Sequence, residues 1–156
     1  MWEALMNLDG NILLWIQEYL RNDALTPMVT FVTHLGEDGW IWILLTLAML
    51  FPKKTRKAGA MSAVALIIML LFNNMFLKNL VARTRPYDVI PGLIPLVPKL
   101  SSFSFPSGHT SSAFSAGSVM FRKLPKKFGV PILIFAIIMG LTRLYVGVHY
   151  PTDVLF

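Results

Sequence analysis

The sequence predicts an all-α, polytopic membrane bundle formed as a single domain over residues 1–156. Three observations predict it. The first is composition: 55% of the residues are hydrophobic and 14% charged, with a mean hydropathy of +0.62. That is more apolar than a soluble domain of this length. The second is a pair of long apolar runs. Ala58 to Leu77 holds 20 residues with no charge, and Gly129 to Val148 holds another 20 with Arg143 as its single charge. About 20 such residues cross a hydrocarbon core of roughly 30 Å. The third is the placement of cations. Eight of the 14 Lys and Arg residues lie in two short segments, Lys53, Lys54, Arg56, Lys57 and Arg122, Lys123, Lys126, Lys127. Each flanks an apolar run, as cytoplasmic loops of membrane proteins do.

The first element carries Glu3 and Asp9 between Trp2 and Asn11 in place of a basic head and an apolar run. No signal peptide is expected, and insertion falls to the transmembrane helices themselves. Asn11 to Leu20 spaces Ile12, Trp15, Ile16, Tyr19 and Leu20 at helical intervals, with Gln17 and Glu18 elsewhere. Such a helix lies in the interface with Trp15 and Tyr19 at headgroup depth, or docks on the bundle. Ala24 to Leu35 and Trp40 to Phe51 are short apolar arms separated by Gly36-Glu37-Asp38-Gly39. The flanking glycines predict a helical hairpin, with the first arm continuing from the amphipathic helix.

Ala58 to Leu77 is the first full span, and its clearly polar members are Ser62, Asn73 and Asn74. Residues 86–105 carry Pro91, Pro95 and Pro98 and form either a lid or a stiffened connector. Ser107 to Phe121 is rich in Ser, Ala and Gly. Small residues let membrane helices approach closely, so this helix is expected at the centre. Gly129 to Val148 is the next span, and Pro151 opens a further helix as a first-turn proline.

Charge sets the orientation. With both basic segments cytoplasmic, the 58–77 and 129–148 helices run outward and the 107–121 helix returns inward. Residues 78–106 and 149–153 then lie on the extracytoplasmic side. The same bias accounts for the net charge of +6, so no nucleic-acid partner is expected. Cysteine is absent, which excludes disulfides, thiolate catalysis and thiolate-held metals.

On that outer side the sequence gathers cations, two histidines and a carboxylate. Lys78 and Arg85 are seven residues apart, nearly two turns, and are expected on one face of a continuing helix that Pro86 ends. Arg83 falls off that face and receives no catalytic role. Pro106-Ser107-Gly108-His109 opens the next helix. Ser107 caps it, Gly108 admits a ligand close to the backbone, the free N–H groups favour an anion, and His109 sits in the first turn. Arg143 is a charge inside an apolar span, where ionisable groups mark function, and its fork suits two phosphate oxygens. His149 precedes Asp153 by four residues, close enough for the carboxylate to orient the ring. Phosphoryl transfer without a metal needs cations and N–H groups in this arrangement, and no cofactor is implied.

These three segments resemble the signature of the type 2 phosphatidic acid phosphatase (PAP2) superfamily: Lys-x6-Arg-Pro, Pro-Ser-Gly-His and Ser-Arg-x5-His-x3-Asp. The match runs from residue 78 to 153 and departs only at Thr142, where the family has Ser. The resemblance implies a metal-independent phosphatase fold shared with vanadium haloperoxidases. It implies His149 as a nucleophile forming a phosphohistidine, Asp153 as its orienting carboxylate and His109 as the acid. It also implies Lys78, Arg85, Ser107, Gly108 and Arg143 as phosphate ligands. The family has a sixth core transmembrane helix after the aspartate. The chain ends at Phe156, so that helix is expected to be truncated.

The expected substrate is a membrane lipid phosphate or diphosphate, with undecaprenyl diphosphate first and phosphatidylglycerol phosphate or phosphatidate as alternatives. A non-catalytic lipid-phosphate binder or transporter would have no need of both histidines and Asp153. Vanadate-dependent oxidation would use the same residues in a protein less apolar than this one.

Overall fold

The computed structural model describes residues 2–155, and among them every regular element is a helix. Helix α1 (Trp2–Trp15) opens into a wider turn over Ile16–Leu20. Leu13 and Ile16 are buried, while Trp15 and Tyr19 are 52% and 65% exposed. One face therefore docks and the aromatic face looks outward, which combines the two readings of this segment. Arg21 is extended, and the Asn22 carboxamide oxygen accepts from the Ala24 and Leu25 N–H groups. This cap starts α2 (Leu25–Leu35) afresh, so the hairpin's first arm does not continue from the amphipathic helix. Asp38 (φ 49°) and Gly39 (φ 72°) make the turn into α3 (Trp40–Leu50).

Helix α4 (Arg56–Met69) passes into a wider-wound stretch, Leu70–Leu77, and ends as α5 (Lys78–Val81). Wide turns of this kind recur at functional sites. Ala82, at φ 47°, stops the helix. The short α6 (Pro86–Val89) follows after an extended Arg85. Lys78 and Arg85 are therefore not on one continuous helix face. The left-handed residue and the residue-before-proline restriction break the chain between them.

Helix α7 (Gly108–Lys123) is central and packs on α8 (Lys126–Tyr145), α4 and α3. A Cβ on Gly117 would lie 3.2 Å from that of Ala136, so the α7–α8 approach depends on small side chains. Helix α8 ends at Tyr145, three residues before the apolar run does, and a turn with Gly147 at φ 76° leads toward α9 (Pro151–Leu155).

Two apolar clusters hold the bundle. One joins Trp42, Ala113, Ala116, Met120, Ala136 and Met139 in the middle. The other joins Leu13, Ile16, Tyr87, Leu93, Tyr145, Val146, Val148 and Tyr150 beneath the site. Among the described residues, Arg56–Val89 and Lys126–Tyr145 are the two helices long and apolar enough to cross a membrane. Val64, Ile67, Ile68, Leu71, Phe72 and Met75 are exposed along the first. An apolar face that broad belongs against lipid rather than water. Both basic segments lie at the end of the helices opposite the gathered polar residues.

Candidate active site

Ser107 caps α7 with an extended backbone, and its hydroxyl oxygen accepts from the Thr110 N–H at 3.4 Å. Beyond the cap the backbone of Gly108 lies open. A Cβ there would stand 3.5 Å from Asn74 Oδ1 and 4.0 Å from Lys78 Nζ. The missing side chain thus leaves a cradle between the α7 N-terminus and the Lys78 ammonium, suited to an anion.

Arg85 is buried and fixed on every edge. Its Nε donates to the Ser102 carbonyl at 2.8 Å, and Nη2 to Ser102 Oγ and the Phe103 carbonyl. Its Nη1 donates to the Val148 carbonyl at 2.8 Å and faces His149 Nε2 at 3.2 Å. A guanidinium only donates, so Nε2 is the bare, accepting nitrogen of the ring. The ring proton then sits on Nδ1, which faces Asp153 Oδ2 at 3.5 Å. That is ion-pair range but not an aligned hydrogen bond, and among the described residues Nδ1 has no other partner.

Asp153 is itself held on both oxygens. Oδ2 accepts from Ser104 Oγ at 2.5 Å and from the Tyr150 N–H at 2.9 Å, and Oδ1 accepts from Arg83 Nη1 at 2.6 Å. Burial pushes the His149 imidazole down to about 3, against the opposing pull of Asp153. Arg85 and Arg143 act in the same direction as burial. The ring is neutral with a lone pair on Nε2, the state a nucleophile requires.

Arg143 is 2% exposed, and its Nη1 donates to Thr33 Oγ1 at 2.5 Å. The Thr142 and Thr33 hydroxyls lie 3.1 Å apart. His109 Nε2 lies 3.1 Å from the Thr33 carbonyl and must carry the proton it donates there. One threonine of α2 therefore fixes both an expected phosphate ligand and an expected acid.

The fold brings together Lys78, Arg85, Ser107, Gly108, His109, Arg143, His149 and Asp153. It also recruits residues that the sequence reading passed over. Thr33 gave no signal, because its role depends on packing between distant helices. Ser104 was hidden in a loop read as a lid or connector. Arg83 was set aside on a helical-face argument that fails once Ala82 breaks the helix. Asn74 was noted as polar in an apolar span, and it lines the cavity beside Lys78.

That cavity, about 600 Å³, runs from the cradle into the apolar body of the bundle. Lys78, Asn74, Ser102 and Gly108 line it together with Asp38, Thr46 and Ser112, and Ile43, Leu47, Leu66, Ile67 and Leu70 are among its apolar walls.

A bundle of this topology, with a cation cradle at the α7 N-terminus and a histidine backed by an aspartate, defines a phosphatase-type membrane fold. The PAP2 superfamily profile matches residues 58–156, and the chain belongs to that family. It is 33% identical to phosphatidylglycerophosphatase B of Bacillus subtilis (strain 168), over 87% of this chain and 70% of that protein. It is 31% identical to the undecaprenyl-diphosphatase BcrC of the same organism, over 86% of this chain and 68% of the relative. The undecaprenyl-diphosphatase of Sulfolobus acidocaldarius is 28% identical, over 88% of this chain and 66% of the relative. The chain thus spans about two thirds of the length of these relatives. Among solved structures, a PAP2-type phosphatidylglycerolphosphate phosphatase from Bacillus subtilis superposes with a TM-score of 0.73 at 31% identity, covering 97% of this chain and 78% of that one. Aquifex aeolicus LpxE superposes with a TM-score of 0.75 at 25% identity, covering 97% and 86%.

Proposed function

We propose that this protein hydrolyses a membrane lipid phosphate or diphosphate at the extracytoplasmic face, without a metal, through a phosphohistidine on His149. The observation that carries the reading is the state of His149: a proton-free Nε2 facing Arg85 and a protonated Nδ1 facing Asp153.

The chemistry follows from these positions. The phosphoryl group sits between Lys78, Arg85, Arg143 and the N–H groups at Gly108, which neutralise its oxygens. His149 Nε2 donates its lone pair to phosphorus while the bond to the leaving oxygen breaks. The leaving oxygen takes a proton from His109. Because the Nε2 proton of His109 already serves the Thr33 carbonyl, the ring enters this step as an imidazolium and gives up its Nδ1 proton. The phosphorylated His149 ring is cationic and still carries its Nδ1 proton, and Asp153 stabilises it. Water then attacks phosphorus, gives its proton to His109 and releases Nε2.

The cavity's apolar lining suits a lipid chain. Relatives named as undecaprenyl-diphosphatases favour undecaprenyl diphosphate as substrate, and the relative at 33% identity makes phosphatidylglycerol phosphate the second choice. The test is phosphate release by purified protein in detergent with EDTA present, across these two lipids and phosphatidate. Turnover of undecaprenyl diphosphate above the others is expected. Activity that appears only on adding magnesium would overturn the metal-free mechanism.

A further inference from the structure

We propose that Asp9 and Arg83 are positioning residues of the reaction, which hold Asp153 in place while leaving a net negative charge behind His149. The proposal rests on the phosphohistidine reading above. Arg83 reaches two carboxylates at once. Its Nη1 donates to Asp153 Oδ1 at 2.6 Å and to Thr152 Oγ1 at 2.7 Å, and its Nη2 donates to Asp9 Oδ2 at 2.8 Å. The guanidinium lies 3.8 Å over the Tyr150 ring, and the Arg83 carbonyl accepts from the Ser104 N–H at 2.8 Å. Asp9, 2% exposed on α1, accepts from the Thr152 N–H at 3.2 Å and from the Thr152 hydroxyl. The carboxylate that faces the nucleophile is thus tied through one arginine to the opposite end of the chain.

Charge explains why two carboxylates are present. A buried aspartate needs a cation, but a single arginine would cancel the field that His149 needs from it. Asp9 shares the guanidinium, so the three charges sum to one negative. That excess stands behind a ring that becomes positive when Nε2 bonds phosphorus. The benefit appears mainly in the step that forms the cationic ring, and little of it in substrate binding. Neither residue touches the phosphate cradle formed by Lys78 and Gly108. A role limited to docking α1 would alter stability and the yield of folded protein, but not the turnover of each folded molecule.

The experiment measures kcat and KM for phosphate release, per folded molecule, in the parent, Asp9→Asn, Arg83→Met, Arg83→Lys and His149→Ala. For Asp9→Asn and Arg83→Met, kcat is expected to fall roughly 10- to 100-fold, the range seen when orienting partners of a reactive group are removed, with KM within about threefold. Arg83→Lys keeps the charge without the fork and should recover part of the loss. The proposal is overturned if kcat stays within about twofold of the parent in Asp9→Asn, or if the loss lies in KM alone. Should Arg83→Met not fold, the near-isosteric Asp9→Asn decides. Turnover that survives in His149→Ala would instead overturn the phosphohistidine reading, which separates the two failures.

Discussion

Thr33→Val replaces a side chain by one of the same shape and removes a single oxygen. That oxygen accepts from Arg143 Nη1 and lies 3.1 Å from the Thr142 hydroxyl, in a side chain only 1% exposed. Among the described residues the Arg143 Nε is already without a partner, and the guanidinium would lose the hydrogen bond that anchors it. A hydrogen bond from a charged group contributes about 1.5–3 kcal/mol. If Arg143 must be oriented to meet the transition state, that loss corresponds to roughly a 10- to 100-fold fall in kcat/KM. Thr33→Ser keeps the oxygen and loses one methyl group, costing about 1 kcal/mol of stability, and should leave kcat/KM within about threefold of the parent. The assay is initial-rate phosphate release in detergent, with thermal unfolding of each variant measured alongside. A folded Thr33→Val protein with kcat/KM within about threefold of the parent would refute the claim that α2 orients the site.

Gly36→Ala should act through the acid, because a Cβ there would meet Met139 Sδ at 2.5 Å and His109 Cδ2 at 2.7 Å. Displacing the ring should lower kcat at least ~10-fold, since small misplacements of reacting groups cost that much or more; an unchanged kcat would show that the Gly36 contact does not hold the His109 ring. Stability should depend on pH through His149. Its folded value, about 3, lies below its ordinary value, so the unfolded chain binds a proton that the folded one does not as pH falls from about 6.5. The Tm should therefore drop between about pH 7 and pH 5 more steeply in the parent than in His149→Gln, and parallel slopes would contradict the buried neutral ring. Orientation is tested by single cysteines in this cysteine-free chain. Those at Lys54 and Lys126 should label only from the cytoplasm and one at Lys99 only from outside; labelling of 54 or 126 from outside would move hydrolysis to the inner leaflet.

Much of the site was legible because its parts are short motifs whose chemistry is local. Pro106-Ser107-Gly108 reads as a helix cap with an open backbone, and α7 starts at Gly108. Small residues over 107–121 announced a central helix, and α7 packs on three others. What failed was continuity. The spacing of Lys78 and Arg85 suits a helix, but Ala82 adopts a left-handed conformation that no residue type at that position signals. The Arg83 reading failed with it. Thr33, Ser104 and Asp9 were invisible for a different reason. Each matters only through partners 49 to 143 residues away, Asp153 for Ser104, Arg143 for Thr33, and Arg83 and Thr152 for Asp9, and a single sequence carries no record of such pairing.

The central claim is that His149 carries the phosphoryl group during turnover. Purified protein, quenched during hydrolysis of a phosphorus-labelled lipid diphosphate in the presence of EDTA, tests it most directly. The prediction is a label on the protein that survives alkali, is lost in mild acid, and maps to His149; His149→Ala should form none. Label that resists acid, or that persists in His149→Ala, would contradict the account.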